Sequence, residues 1–556
     1  MNYTGGLLLT CFYSFMTALF AALIMVPFLR QWAIDQGTVD LPEARKVHLT
    51  PMPRLGGIAI FLAFLFSCVI FLPIDDRIRG MLAGTLVIFA TGVVDDLHGL
   101  DSRSKFAGQI SACLITILIG KIYLIELGDL FGFGVIHLPV WAAVPFTVFA
   151  VVGVINAINL IDGLDGLAGG VSSIALVAFF LLAWLEGDPE AMVLSAAMAG
   201  AIFGFLKDNF YPARIFMGDT GAMVVGYVLA FLAVFMTQRP AAAISPMVPV
   251  VVLGLPLLDT IWVMMRRLPK GVSPFAPDRT HVHHKFLDLG FEHRLTVIVI
   301  YGISLFWAVC ALLLRGLAEY KLLVFYLATA ISCYLALRLL LTRHTAMVTN
   351  PSNRFDLRNS QFYNHLSERS QVLLVGIKFL LGLYMGVALY AILTQSLFPW
   401  QIALALLGGG FYLSLMRSGD DRQFLLLIVY ATFGMAATQV WASQETFLGI
   451  LTVKRCGDLV LGSAGVLVLI RLLLRRSGEF VLSTADFLVL AVCIFLAVAS
   501  QKELLGYSIN GPLFRTVLGI LAVRTLASDN PRTQRMVIGA GFAILLLFTL
   551  VGLFSV

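Results

Sequence analysis

Charge is what this 556-residue chain has least of: 13% of its residues are Asp, Glu, Lys or Arg, 59% are apolar, and mean hydropathy is +0.93. So little polar surface excludes a soluble globular protein and leaves lipid as the solvent. Short alternating segments of the barrel kind are lacking too. Apolar runs over 7–29, 54–74, 245–265 and 536–555 have the length of membrane-crossing helices, not of ten-residue barrel strands. Cysteine is sparse, and none of the seven stands in C-x-x-C spacing. Cys11, Cys68, Cys113, Cys310, Cys333 and Cys493 lie within apolar runs and Cys456 at an edge, which argues against both disulfides and a zinc ribbon. No Lys or Arg precedes the first apolar run and no small-residue cleavage site follows it, so it reads as an uncleaved helix and not as a signal peptide.

The expected fold class is therefore an all-α polytopic integral membrane protein. Length alone gives about 18 spans: about 10–11 transmembrane helices in residues 1–342 and about 7 additional helices in 371–556. Between them, 343–370 is rich in Asn, Ser and Arg and reads as a cytoplasmic linker or a surface helix. The net charge is +6, but its distribution matters more than its total. Alternating the loops concentrates Lys and Arg on one side, including Arg45, Lys46, Arg54, Arg103, Lys105, Arg266, Arg267, Lys270, Arg279 and Lys285. By the positive-inside rule that side is cytoplasmic, and an even number of spans places both termini outside.

Against this apolar background four polar clusters stand out: D-D at 95–96 with Lys105 following, N-A-I-N-L-I-D-G-L-D-G at 156–166, F-M-G-D at 216–219 and D-R-T-H-V-H-H at 278–284. Each lies where a span begins or ends, and alternation brings all four to the basic face. Carboxylates near hydrocarbon are costly, so a co-facing set of Asp, Asn and His beside Arg and Lys points to metal-assisted phosphate chemistry. Adjacent Asp95 and Asp96 diverge by about 100° on a helix, which suggests a division of labour: one a base or nucleophile, the other a metal or structural partner. Asn156, Asn159, Asp162 and Asp165 recur at i, i+3 and are expected along one helical stripe of hard oxygen donors. Asp219 precedes a span and reads equally as a ligand or an N-cap. His281, His283 and His284 lack the Cys partners and helical spacing of a zinc site, and beside Arg279 and Lys285 they suit a diphosphate.

In this order, with the loop L-P-E-A-R-K-V-H-L-T-P-M-P-R-L-G-G at 41–57 ahead of them, the motifs of residues 35–315 resemble the polyprenyl-phosphate N-acetylhexosamine-1-phosphate transferases. That family includes the phospho-MurNAc-pentapeptide translocase, whose three consecutive histidines differ from the H-V-H-H here. The His loop is similar to that of the GlcNAc-1-phosphate transferase branch. The resemblance implies transfer of a sugar-1-phosphate from a UDP-N-acetylhexosamine to undecaprenyl phosphate in the bacterial inner membrane, with release of UMP, as the start of a lipid-linked cell-envelope glycan. It also implies a cytoplasmic active site and magnesium (manganese as the alternative). On the family pattern Asn159 and Asp219 match the metal positions. Asp95, Asp96 and Lys105 would be catalytic, Asp95 as base or as nucleophile in an older two-step scheme. Lys46, His48, Asn156, Asp162, Asp165, Arg279, His281, His283 and His284 would bind substrate.

The CDP-alcohol phosphotransferases share the opening D-G-L-D-G, but Gly169 and Gly170 replace their A-R and no Asp follows between 166 and 187. A lipid-linked glycan transporter fits poorly, because transport sites lie near the midplane and these clusters lie at one face. Nothing in the pattern calls for nucleic acid. The second block departs from the family. Lys378, Arg471 and Arg515 sit near its spans, where such side chains snorkel to headgroups. Its short loops suggest packing, either onto a second copy as a homodimer or onto a downstream membrane enzyme.

Overall fold

The computed structural model describes residues 2–37, 39–40, 52–239, 244–267, 281–289, 291–349, 361–394, 422–443, 446–447, 451–474 and 510–527, together with 401, 405, 486 and a few positions between 534 and 546. The architecture is all-helical, and the chain divides into two compact units, Met1–Asn350 and Pro351–Val556.

The first unit contains α1 (Asn2–Asp35), α2 (Gly56–Phe71), α3 (Asp76–His98), α4 (Ser102–Gly120), α5 (Val140–Ile161), α6 (Leu167–Glu186), α7 (Pro189–Asn209), α8 (Gly218–Thr237), α9 (Met247–Val252), α10 (Gly254–Arg267), α11 (Val282–Asp288), α12 (His293–Leu313) and α13 (Glu319–Thr349). Among the described residues of the whole chain, nine helices are long and apolar enough to cross a membrane, eight of them in this unit. The expected family core is completed by α2, by the 19-residue α4 and by the pair α9–α10. The run 245–265 was expected as one span, yet it breaks at Leu253. Leu253 still makes the helical bond to Pro249 O at 2.9 Å, but Pro256 has no amide hydrogen to give Val252 O, and the ladder stops there.

The centre of this unit is α8. It is apolar on every side, and its burial from Thr220 to Leu232 sets it inside the bundle and not against lipid. It packs on α2, α3, α5, α6 and α7. Close approach to α2 depends on paired glycines: a Cβ on Gly57 would lie 2.1 Å from Gly221 N. Around this contact the 53–57 loop is stitched to the segment before α8. Phe216 N donates to Pro53 O at 2.8 Å, Gly56 N to Phe216 O at 3.1 Å and Gly57 N to Met217 O at 2.8 Å. A two-residue antiparallel pairing, Val39 with Pro53 and Asp40 with Met52, ties the end of α1 to the same loop.

The second unit contains α14 (Gln361–Thr394), α15 (Arg422–Ala442), α16 (Val453–Leu474) and α17 (Asn510–Ala527), with a small hairpin pairing Thr446 with Thr452 and Phe447 with Leu451. The polar stretch 343–370 is partly helical, because α13 runs on to Thr349 and α14 starts at Gln361. Two arginines overturn the snorkelling expectation. Arg515 and Arg471 are 3% and 9% exposed, and Arg515 pairs with Asp458. Arg524 Nε lies 2.8 Å from Asp486, which also accepts from Tyr430 Oη at 2.8 Å. Burial makes these partners necessary, since an unpaired charge there would cost several kcal/mol. Lys378 is exposed. The six described cysteines are free thiols.

Replacing Gly57 by Val must push α2 off α8. The expected loss is about 1–3 kcal/mol, read as a lower melting temperature in detergent. Gly153→Ala, at a position with open space, should leave the melt unchanged.

Candidate active site

The first amides of α8 have no partner within their own helix, and Met217, at the N-cap, has no oxygen to offer them. Asp96 supplies the cap from α3. Its Oδ1 accepts from Asp219 N at 2.9 Å, and its Oδ2 accepts from Thr220 N at 3.0 Å and from Thr220 Oγ1. The carboxylate also faces the positive end of the helix dipole. Gly218 adopts φ +72°, and a Cβ there would meet Arg54 O at 2.3 Å and Asp96 Oδ2 at 2.6 Å, so M-G-D needs its glycine. Of the two adjacent carboxylates, Asp96 is thus the structural partner. Asp219 is not the cap, and its side chain is left for the site.

Three helices meet at that side chain. Asp219 Oδ1 accepts from Asn159 Nδ2 of α5 at 2.7 Å and lies 3.3 Å from Lys105 Nζ of α4. Lys105 also pairs with Asp95 Oδ2 of α3, while Asp95 Oδ1 accepts from Leu100 N at 2.8 Å. One ammonium therefore bridges two carboxylates from motifs more than 120 residues apart. Asp95 is 3% exposed at its side chain and Asp219 30%, so the pair runs from a buried to an open carboxylate.

The stripe expected for 156–165 is interrupted. α5 ends at Ile161, Asp162 becomes its C-cap, and the glycines that follow, with Gly166 at φ +76°, carry the chain into a turn. Asn156 and Asn159 share the helix, but Asn156 points its amide at Gln109 Oε1, 3.0 Å, and at Val152 O, 2.8 Å. Asp165 leaves the stripe to accept from Ala213 N at 2.9 Å. The turn is pinned by Gly166 N donating to Asn209 Oδ1 at 3.0 Å and by Tyr301 Oη donating to Gly166 O at 2.6 Å. Part of Asp162 is reached by solvent, yet surrounding protein desolvates its carboxyl. With Asp219, Asp96 and Asp165 nearby, its pKa is pushed from 3.8 up to about 7.

The described part of the His loop begins at His281. His283 lies against the turn, since a Cβ on Gly163 would fall 2.5 Å from its Nε2. Burial, and then His284, His281 and His293, push the His283 pKa down to about 3, so this ring meets a ligand uncharged. His284 packs at 4.2 Å from His283, ring to ring. His281 Nδ1 is 2.8 Å from Asp259 Oδ2, and Asp259 Oδ1 accepts from Val282 N at 2.9 Å. Lys46, His48 and Arg279 lie outside the described residues. Sequence reasoning missed Asp259, Gln109, Asn209 and Tyr301. A signal existed for Asp259, which is a lone carboxylate within the apolar run 245–265.

The family profile Glycosyl transferase family 4 matches residues 78–237, the stretch that carries Asp95, Asp96, Lys105, Asn159 and Asp219. The chain is 32% identical over 308 residues to the probable undecaprenyl-phosphate N-acetylglucosaminyl 1-phosphate transferase of Bacillus subtilis, covering 54% of this chain and 84% of that protein. The chain belongs to the polyprenyl-phosphate N-acetylhexosamine-1-phosphate transferases. Within that family it is also similar to the decaprenyl-phosphate N-acetylglucosaminephosphotransferase of Mycobacterium leprae, at 37% identity over 47% of this chain and 73% of that one. The undecaprenyl-phosphate alpha-N-acetylglucosaminyl 1-phosphate transferase of Escherichia coli is 31% identical over 49% and 75% respectively. Each alignment covers about half of this chain.

Because folding raises the Asp162 pKa, the native state holds a proton that the unfolded chain releases near pH 3.8. Stability is therefore lost as pH climbs from about 4 to about 7. In EDTA, Asp162→Asn should melt like wild type at pH 4 and above it at pH 8. Coincident melting at both values would contradict the shift.

Proposed function

We propose that this protein transfers N-acetylglucosamine-1-phosphate from UDP-GlcNAc to undecaprenyl phosphate and releases UMP. The observation that carries the reading is the Lys105 bridge between Asp95 and Asp219, with Asn159 on the same Asp219 oxygen. A phosphate attacking a diphosphate must overcome repulsion between anions, and catalysis of such a step is positioning plus charge neutralisation. The family's named activities agree with that chemistry.

In the proposed step an oxygen of the lipid phosphate attacks the sugar-bearing phosphorus of the UDP-sugar. The bond from that phosphorus to the oxygen bridging to the UMP phosphorus breaks, and the electron pair leaves with UMP. Asp95, held by Leu100 N and Lys105, takes any proton remaining on the attacking phosphate, which is mostly ionised near pH 7. Lys105 neutralises charge between donor and acceptor. A one-step displacement needs no covalent enzyme intermediate. The turn at Asp162–Gly166 and the histidine segment border the nucleotide-sugar side, with His283 contributing a neutral ring.

The donor set suits magnesium. Among the described residues no three His, Cys, Asp or Glu side chains gather to hold a metal by themselves. Asp219 and Asn159 offer one carboxylate and one amide oxygen, which is enough for an ion that keeps most of its positions for water and phosphate. Bound there, magnesium would supply charge neutralisation for the diphosphate. We assign this face to the cytoplasm, a reading supported by its basic loops. All described site residues belong to Met1–Asn350, so we assign transfer to that unit and a docking role to the second.

Purified protein given UDP-GlcNAc, undecaprenyl phosphate and magnesium should release UMP. Asp219→Ala should lower turnover at saturating substrate by about 100-fold or more, the scale of a lost electrostatic partner in a transition state. Wild type that releases no UMP, or an Asp219→Ala enzyme with undiminished turnover, would refute the assignment.

A further inference from the structure

Asp259 stands apart from the Asp95–Lys105–Asp219 cluster, yet it is a buried carboxylate, 8% exposed, with both oxygens engaged. Its partners are the ring of His281, itself 4% exposed, and the backbone N–H of Val282, the first residue of α11. A buried carboxylate is tolerated only where such partners compensate its lost hydration. The arrangement does two separate things. Oδ1 caps α11 from a neighbouring helix, which His281 at the N-cap does not do with its own side chain. Oδ2 takes the Nδ1–H of His281, because an ionised carboxylate can only accept, and this leaves Nε2 as the nitrogen with ligand chemistry. From His281 the order passes inward. Its ring lies parallel to that of His283, 6.0 Å away, and His283 rests on Gly163 of the turn that carries Asp162 and Asp165.

We propose that Asp259 is a positioning residue for sugar-phosphate transfer: it fixes the tautomer of His281 and seats the 281–284 segment against the Asp162–Gly166 turn. This rests on the transfer reading above. The effect runs through His281, and an outer partner of that kind is worth about 10–100-fold in activity where carboxylates orient functional histidines.

A double-mutant cycle separates positioning from simple capping. Asparagine keeps one acceptor oxygen, so Asp259→Asn can still cap α11 but meets the ring with an N–H donor, which admits only the opposite tautomer. In the full-length enzyme it should lower kcat/KM for UMP release about 10–100-fold with a melting temperature close to wild type. In a His281→Ala background the same change should cost less than about twofold, because coupled residues are not additive. Where His281→Ala leaves no measurable turnover, the cycle is read on UDP-GlcNAc affinity by calorimetry. A second arm needs no activity: Asp259→Ala should speed hydrogen–deuterium exchange in the 281–289 peptide. Equal losses in both backgrounds would reduce Asp259 to a cap, and unchanged exchange would remove the anchor; either overturns the proposal. Wild type that releases no UMP would refute the transfer reading alone, and the exchange arm would still decide whether Asp259 seats the segment.

Discussion

A helix that begins inside protein must find acceptors for its first amides, and at α8 the acceptor is Asp96. That one constraint organises the rest. Because Asp96 reaches from α3 to cap α8, the two helices are locked at their cytoplasm-assigned ends, and Gly218 has to be a glycine to let the carboxylate in. Because the cap comes from elsewhere, Asp219 is free of the duty its position suggests, and its carboxylate turns to Asn159 and Lys105. Lys105 then carries the connection to Asp95. Remove the cap and the D-D, N-x-x-N and M-G-D motifs lose the contact that aligns them on one centre.

The electrostatics follow from the same geometry. Burial and three neighbouring aspartates, 219, 96 and 165, raise the pKa of Asp162, while Lys105 offsets the charge of Asp95 and Asp219. A site of this kind is poised for a ligand that brings positive charge with it and negative charge to be neutralised. On the proposed function that ligand is a diphosphate accompanied by magnesium, in a reaction where the protein positions and neutralises.

Much of this was legible in the residues. D-D, N-x-x-N and M-G-D announced themselves because carboxylates and amides at span ends are costly unless used. The angular separation of Asp95 and Asp96 anticipated that they meet different partners, Lys105 and the start of α8. What could not be read was where helices stop. The i, i+3 pattern of 156–165 looked continuous, but α5 ends at Ile161 with Asp162 as its C-cap, and Asp165 turns to Ala213. The break at Leu253 was signalled by Gly254 and Pro256, which a reading by run length and hydropathy passes over. Contacts such as Asn156 with Gln109, or Asp259 with His281, join residues 47 and 22 positions apart, and no periodicity encodes them. In the second unit, Arg515 looked like an interfacial residue until its partner Asp458 was located.

The central claim is that Asp96 acts by holding Asp219 in place, and the most direct measurement is the magnesium dependence of UMP release in Asp96→Asn. The amide sets an N–H against amides that need an acceptor, while the bundle keeps its packing. The account predicts a folded protein whose turnover falls by about two orders of magnitude and whose apparent magnesium requirement rises. A folded Asp96→Asn enzyme with wild-type turnover and an unshifted magnesium curve would contradict it.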